Sequence, residues 1–398
     1  MALHILLGLI GLSLAREITF PPVQHPLGVE TEAPGLSEDI SLAKFAGLTT
    51  FANLPYVHCL SSNKEVEPYD IAILGAPFDT GVTARPGARF GPLGIREGSR
   101  RISPAFGYSV YTGQNPFDQG FKIVDCGDAP LTVLDNTVAL QQLGKAHQVT
   151  SSRRANSTEY TVPRIITLGG DHTTTLPALR STFHHWGAVS VIHFDSHLDT
   201  WDPELLGGGL SHYSGVNHGT FCSTHVSMPG EAEILHLLSQ RSAHEEGLVL
   251  NSSIHAGIRA PVLNKKYDLK NDKACGFHIL TARDLDKFGM PAFVQKIKDR
   301  VQETKVYITV DIDSLDPAFA PATGTAEPGG WTTRELLTIL DSLHGLNVIG
   351  ADVVEVAPIY DNPGETTTLA AAEIVRSLIQ LMVDTPVAPS NAVQHGEQ

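Results

Sequence analysis

Residues 189–203 read Val-Ser-Val-Ile-His-Phe-Asp-Ser-His-Leu-Asp-Thr-Trp-Asp-Pro, and the change of character after Phe194 organises the reading of the whole chain. Val189 to Phe194 is short and nearly continuous in apolar character, as expected of a strand covered on both faces, and it breaks directly into acidic residues and histidine. The same kind of run recurs at Asp70 to Leu74, Phe121 to Asp125, Arg164 to Leu168, Phe277 to Leu280, Lys305 to Val310 and Val348 to Val356. Helix-like segments stand between them at Thr132 to His147, Thr175 to His185, Pro291 to Glu303, Thr332 to Leu343 and Thr367 to Val383, the fourth opening on a capping pattern, Thr332-Thr333-Arg334-Glu335. This alternation predicts an α/β fold: a three-layer α/β/α sandwich around a mostly parallel central sheet.

In open parallel sheets ligands bind beyond the carboxyl ends of the strands. Three of the predicted strands end in chemistry there: Gly169-Gly170-Asp171-His172, Asp195-Ser196-His197-Leu198-Asp199, and Asp311-Ile312-Asp313-Ser314. The alternating spacing places Asp195, His197 and Asp199 on one side, and Asp311 with Asp313, so one cleft can collect all five with His172. So many neighbouring carboxylates repel one another unless cations lie between them, and the set exceeds the needs of one ion. A binuclear metal site follows. Carboxylate-rich ligation with two imidazoles and no thiolate favours Mn²⁺, although affinity order alone leaves Fe, Co and Zn open. Alone, each short motif reads equally well as a turn or a helix cap; three of them at three strand ends do not.

A formal net charge of −15 argues against nucleic acid or anionic membrane as a partner. The 42% apolar and 18% charged content excludes a chain disordered throughout. Met1 to Ala15 carries an apolar run and ends Ser13-Leu14-Ala15, the pattern of a cleaved signal peptide, which predicts a secreted protein with no membrane anchor in its mature form. A buried N-terminal segment is the alternative, because the run lacks a preceding Lys or Arg. Asn156-Ser157-Thr158 and Asn251-Ser252-Ser253 are glycosylation sequons. Cys59, Cys126, Cys222 and Cys275 form no metal or redox pattern, and their pairing is not legible. The expected organisation is a signal peptide over 1–15, an extension over 16–40, one catalytic domain over 41–385 and a tail over 386–398.

Residues 169–180 (GGDHTTTLPALR), 194–203 (FDSHLDTWDP) and 311–325 (DIDSLDPAFAPATGT) resemble the signature segments of the ureohydrolases, the arginase and agmatinase family. The resemblance extends to 75–103, to HAGIR at 255–259 and to ADVVEVAPIYD at 351–361, and so spans roughly residues 40 to 385. It implies that His172 and Asp199 hold one manganese, His197 and Asp313 the other, and that Asp195 and Asp311 bridge them. It further implies catalytic roles for His218 in proton transfer, Glu355 in gripping the guanidinium and Asp313 in steadying the attacking hydroxide, which bridges the metals and attacks the guanidinium carbon to release urea. A homo-oligomer, trimer or hexamer, is implied as well.

The resemblance implies a small guanidino compound as substrate, and the loop Trp201 to Val216 bears on which one. Asp202 and Glu204 suit an amine, which favours agmatine going to putrescine and urea, a step of polyamine synthesis. Ser214-Gly215 ahead of His218 keeps carboxylate-bearing guanidines, guanidinobutyrate or arginine, in view. Arg259 reads as structural or functional. A non-catalytic secreted metal- or ligand-binding relative and a two-metal phosphatase or nuclease are the rivals from other classes.

Overall fold

The computed structural model describes residues 45, 47–62, 65–157, 162–200, 243–262 and 265–387. The expected signal peptide and extension, the loop Trp201 to Val216 with His218, Cys222 and most of the expected tail lie outside the described residues.

Eight parallel strands form one sheet in the order β2-β1-β3-β8-β7-β4-β5-β6. They are β1 Ile71–Gly75, β2 Ile123–Asp128, β3 Arg164–Leu168, β4 Ser190–Phe194, β5 Ser253–Ile258, β6 Phe277–Thr281, β7 Lys305–Asp311 and β8 Asn347–Val354. The helices are α1 Gly91–Gly98, α2 Asn136–Ser151, α3 Thr175–Trp186, α4 Lys265–Ala274, α5 Asp284–Phe288, α6 Met290–Val301, α7 Thr333–Ser342 and α8 Thr366–Asp384. The predicted three-layer sandwich is what the chain forms, with its sheet wholly parallel. Alternation within β1 shows why: Ile71 and Ile73 enter the core that also holds α7 and α8, whereas Ala72 and Leu74 enter a separate core with Leu143 and Ala146 of α2. Both faces need cover, so the strands read as continuous apolar runs.

Helix α7 begins on the predicted capping box, Thr332 and Glu335 each accepting the other's backbone N–H. Helix α8 is apolar and long enough to cross a membrane, but most of it is buried in this core, where a central helix meets the same description. Three elements fall outside the expected strands and helices. The apolar pattern predicts no strand at β5, because Ser-Ile-His-Ala-Gly-Ile has no continuous apolar run. Helix α1 carries glycine at 91, 94 and 98, a poor helical composition, yet Gly94 and Gly98 let it approach α8: a Cβ on Gly98 would lie 2.4 Å from the Thr368 carbonyl oxygen. Helix α4 shows little apolar periodicity because the face it buries is polar, with Asp268, Asn271 and Asp272 all inside.

Among the described residues one disulfide joins Cys59 to Cys126, with Cα atoms 5.3 Å apart. Cys126 lies on β2, the edge of the sheet.

Candidate metal centre

The four central strands β3, β8, β7 and β4 stand side by side in the sheet although they are scattered along the chain. Their carboxyl ends therefore deliver His172, Glu355, Asp311 with Asp313, and Asp195 with His197 and Asp199 to one crater. Local turn chemistry aims each group. Asp171 accepts the Thr173 N–H at 3.0 Å and the Gly81 N–H at 2.8 Å, which fixes the short helical turn bearing His172. Gly170 is required there, since a Cβ would lie 1.8 Å from the Phe78 carbonyl oxygen. Asp195 Oδ1 accepts the His197 N–H at 2.5 Å, and Asp311 Oδ1 accepts the Asp313 N–H at 2.8 Å. The ligand-type residues two apart thus converge through side-chain-capped turns. The extended continuation of the strand expected from their spacing is not what brings them together. Asp199 completes the turn in the left-handed region, at φ 52°.

The six expected ligands gather into two adjoining groups. In the inner one, His172 Nδ1 lies 3.1 Å from Asp195 Oδ2, 3.2 Å from Asp199 Oδ2 and 3.3 Å from Asp311 Oδ2. In the outer one, His197 Nδ1 lies 3.0 Å from Asp313 Oδ2 and 3.4 Å from Asp195 Oδ1. Asp195 therefore turns one oxygen to each group. Asp311 faces the inner group with Oδ2, and its Oδ1, like Asp195 Oδ1, accepts a backbone N–H, here that of Asp313. Glu355 is buried, sits at φ 61°, and accepts the His172 N–H on Oε1 at 2.8 Å.

Does this donor set fit metal ions? A ring nitrogen carries at most one proton, and one proton cannot satisfy three carboxylate oxygens at nearly equal distance. A cation among the four atoms would satisfy all of them. The titration behaviour agrees. Burial opposes protonation of His172, but hydrogen bonds to Asp195, Asp199 and Asp311 outweigh it and hold the ring well above the ordinary histidine range. Burial likewise opposes, and Asp313 and Asp195 overcome, at His197, which rises to about 12. Burial and the neighbouring charges of Asp313 and Asp195 drive Asp311 well upward, and burial lifts Glu355 to about 8. Imidazoles and carboxylates packed this closely favour added positive charge, as expected of residues that hold metal ions.

Several neighbours escaped the sequence reading. His193, within the β4 run itself, places Nε2 2.9 Å from Asp195 Oδ2. It is a buried polar residue in an apolar strand, and that anomaly was the available signal. Thr309 on β7 bonds His172 Nε2 at 2.9 Å, and Glu327 Oε1 lies 3.8 Å from His197 Nε2 at the mouth. Arg259 takes the structural reading: its guanidinium donates to the carbonyl oxygens of Asp313 at 2.6 Å, Glu327 at 2.8 Å and Leu315 at 3.2 Å, pinning the loop after β7.

A family model described as the arginase family matches residues 69–380. Over 371 residues the chain is 49% identical to "Putative agmatinase 1" of Schizosaccharomyces pombe, covering 91% of this chain and 89% of that one. It is 32% identical to the guanidinobutyrase of Pseudomonas aeruginosa, covering 83% and 91%. The structure of proclavaminate amidinohydrolase from Streptomyces clavuligerus superposes with a TM-score of 0.69 at 31% identity, covering 86% of this chain and 99% of that one. By the matched span, the identities and the shared fold, the chain belongs to the arginase family of ureohydrolases.

Proposed function

We propose that this chain hydrolyses agmatine to putrescine and urea at a centre of two Mn²⁺ ions. The observation that carries the reading is Asp195, whose two carboxylate oxygens face two separate donor groups, as a bridge between two cations requires. His172, Asp199 and Asp311 would complete the inner site, and His197 and Asp313 the outer one. The oxygen-rich, thiolate-free donor set favours Mn²⁺. The name of the Schizosaccharomyces pombe relative supports agmatine as substrate.

When bound, such a pair of ions supplies a water acidic enough to act as nucleophile at neutral pH. The remaining work falls to the chain. Glu355, ionised once cations offset the carboxylates around it, orients the planar guanidinium through charge-assisted hydrogen bonds. Asp313, held by the Ser196 N–H on Oδ1 at 3.1 Å, keeps Oδ2 toward the outer group and steadies the adding oxygen. His218 would protonate the departing amine.

Urea release from agmatine, arginine and 4-guanidinobutyrate by the Mn²⁺-loaded protein tests this reading. Agmatine should give the highest kcat/KM. Preference for 4-guanidinobutyrate would move the substrate toward the Pseudomonas aeruginosa relative. No urea from any of the three, with metal bound, would overturn the enzyme.

We further propose that the protein is secreted, glycosylated at Asn156 and Asn251, and homo-oligomeric. The Cys59–Cys126 disulfide and the exposure of both asparagines support the secretory route. An extracellular protein whose N-terminus still begins at Met1 would overturn cleavage, and light scattering after size exclusion would count the subunits.

A further inference from the structure

From Asp195, three short polar contacts run in series into the protein interior. His193 Nε2 lies 2.9 Å from Asp195 Oδ2, His193 Nδ1 lies 2.6 Å from His255 Nδ1, and His255 Nε2 lies 2.8 Å from Asp272 Oδ1. All four side chains are buried. The rings cannot swing aside: His193 and His255 meet edge to face at 4.8 Å between centroids, and His255 stacks on Phe277 at 4.1 Å and 15°. Strands β4 and β5 set the first pair in register, His193 opposite His255, so the contact is built into the sheet. Asp272 comes from α4, the helix whose buried face is polar.

The same helix reaches the crater by a second route. Asp272 Oδ1 also accepts the Thr200 hydroxyl at 3.1 Å, and Asn271 Nδ2 donates to the Thr200 carbonyl oxygen at 2.6 Å. Thr200 follows Asp199, the inner-group carboxylate held in the left-handed region. One helical turn, Asn271-Asp272, thus braces two of the inner donors: Asp195 through two imidazoles, and Asp199 through the backbone.

We infer that His193, His255 and Asp272 are positioning residues that lock the Asp195 carboxylate in its bridging orientation, and that they thereby set the affinity of the centre for its metal ions. Asp195 is the residue for which orientation matters most, because a rotation that improves its fit to one group withdraws an oxygen from the other. Its Oδ1 is fixed by the His197 N–H, and His193 Nε2, 2.9 Å from Oδ2 though not aligned as a hydrogen bond, closes off the carboxylate's swing on that side. Partners of this kind, one step removed from a metal, change affinity or activity by about 10- to 100-fold when lost. The inference rests on the two-metal reading above.

The experiment is Mn²⁺ titration of the metal-free full-length protein by calorimetry, with thermal melting of the metal-free state as control. His255→Phe preserves the ring and its stacking but breaks both polar links. It should weaken Mn²⁺ binding by about tenfold, and lower the metal-free melting temperature modestly because His193 Nδ1 loses its buried partner. His255→Asn, whose amide occupies the Nδ1 position facing His193, should recover much of the affinity. Where the Phe variant does not fold, the isosteric Asp272→Asn replaces it, with a smaller loss expected in the same direction. Wild-type affinity in the folded variants overturns the inference, whether or not their melting temperatures fall. A wild-type protein that binds no Mn²⁺ removes the metal reading together with this one; two ions bound equally by wild type and variants removes this one alone.

Discussion

His147 on α2 and His172 after β3 are both closed off from solvent, yet burial drives the first down to about 4 while the second is held well above the ordinary histidine range. The difference lies in what each ring faces. His147 borders a small cavity with Ile165, Thr167, Ala178 and Trp186, and no carboxylate lines it. His172 faces three carboxylates within 3.3 Å. Desolvation acts on both rings; only at His172 is it outweighed. A buried histidine is thus silent by default, and one that holds a proton marks a place built to hold positive charge. At His172 the three surrounding carboxylates favour positive charge, which a cation among them would supply.

The most severe way to break this contrast is to remove the ring. His172→Ala should lower the Mn²⁺ content measured by atomic absorption and cut urea formation by at least about a thousandfold, the upper end of what losing a single transition-state donor costs. Retention of two ions and full activity would end the proposed role of His172.

The contrast also fixes a pH dependence. The folded-state value of His147 lies below its unfolded value, so between the two the unfolded chain binds the extra proton. Its contribution is complete above about pH 6.5 and fades as the pH falls toward about 4, where the loss reaches roughly 3 kcal/mol. Denaturant melts across this range should slope less steeply for His147→Phe than for wild type, with kcat unchanged near neutral pH. A parallel slope would mean that another group controls acid stability.

Glu355→Gln sharpens the comparison within the crater. Removing this charge while leaving the Mn²⁺ stoichiometry intact should lower kcat/KM for agmatine by roughly 10- to 100-fold, as expected for a hydrogen bond to a charged partner of about 1.5–3 kcal/mol. The smallest signal is calorimetric. If cations replace protons at His172, His197 and Asp311, the heat of Mn²⁺ binding should vary with the ionisation enthalpy of the buffer. Identical heats in phosphate-free buffers of different ionisation enthalpy would contradict the exchange.

The sequence carried the crater's rim more clearly than its support. Arg164 to Leu168 was readable as a strand to the residue, because a strand buried on both faces is almost all apolar and the Gly-Gly that follows must turn. The ligand-type residues stood out because Asp-x-His-x-Asp and Asp-x-Asp are conspicuous after such a run. His193 did not, since inside Val-Ser-Val-Ile-His-Phe it passes as one polar interruption, and its partner His255 lies on a strand whose glycine and histidine hide its character. Helix α4 was invisible to an apolar pattern for the reason that makes it useful: the face it buries carries Asp268, Asn271 and Asp272. Spacing indicates which side chains share a direction, but not which polar groups, distant in sequence, will satisfy one another inside the fold.

The Cys59–Cys126 bond has a consequence for how the protein fails. β2 is an edge strand, and the segment before Cys59 lies along it, with the Val57 N–H donating to the Asp125 carbonyl oxygen at 2.9 Å and the Asp125 N–H to the Pro55 carbonyl oxygen at 3.0 Å. The disulfide fastens this strap over an edge that would otherwise offer unpaired amides to another chain. Under mild reduction the crater, on the central strands, should go on working in each molecule while molecules begin to join edge to edge. Turbidity rising ahead of any loss in urea formation per soluble subunit would be the sign, so the bond protects the population more than the active site.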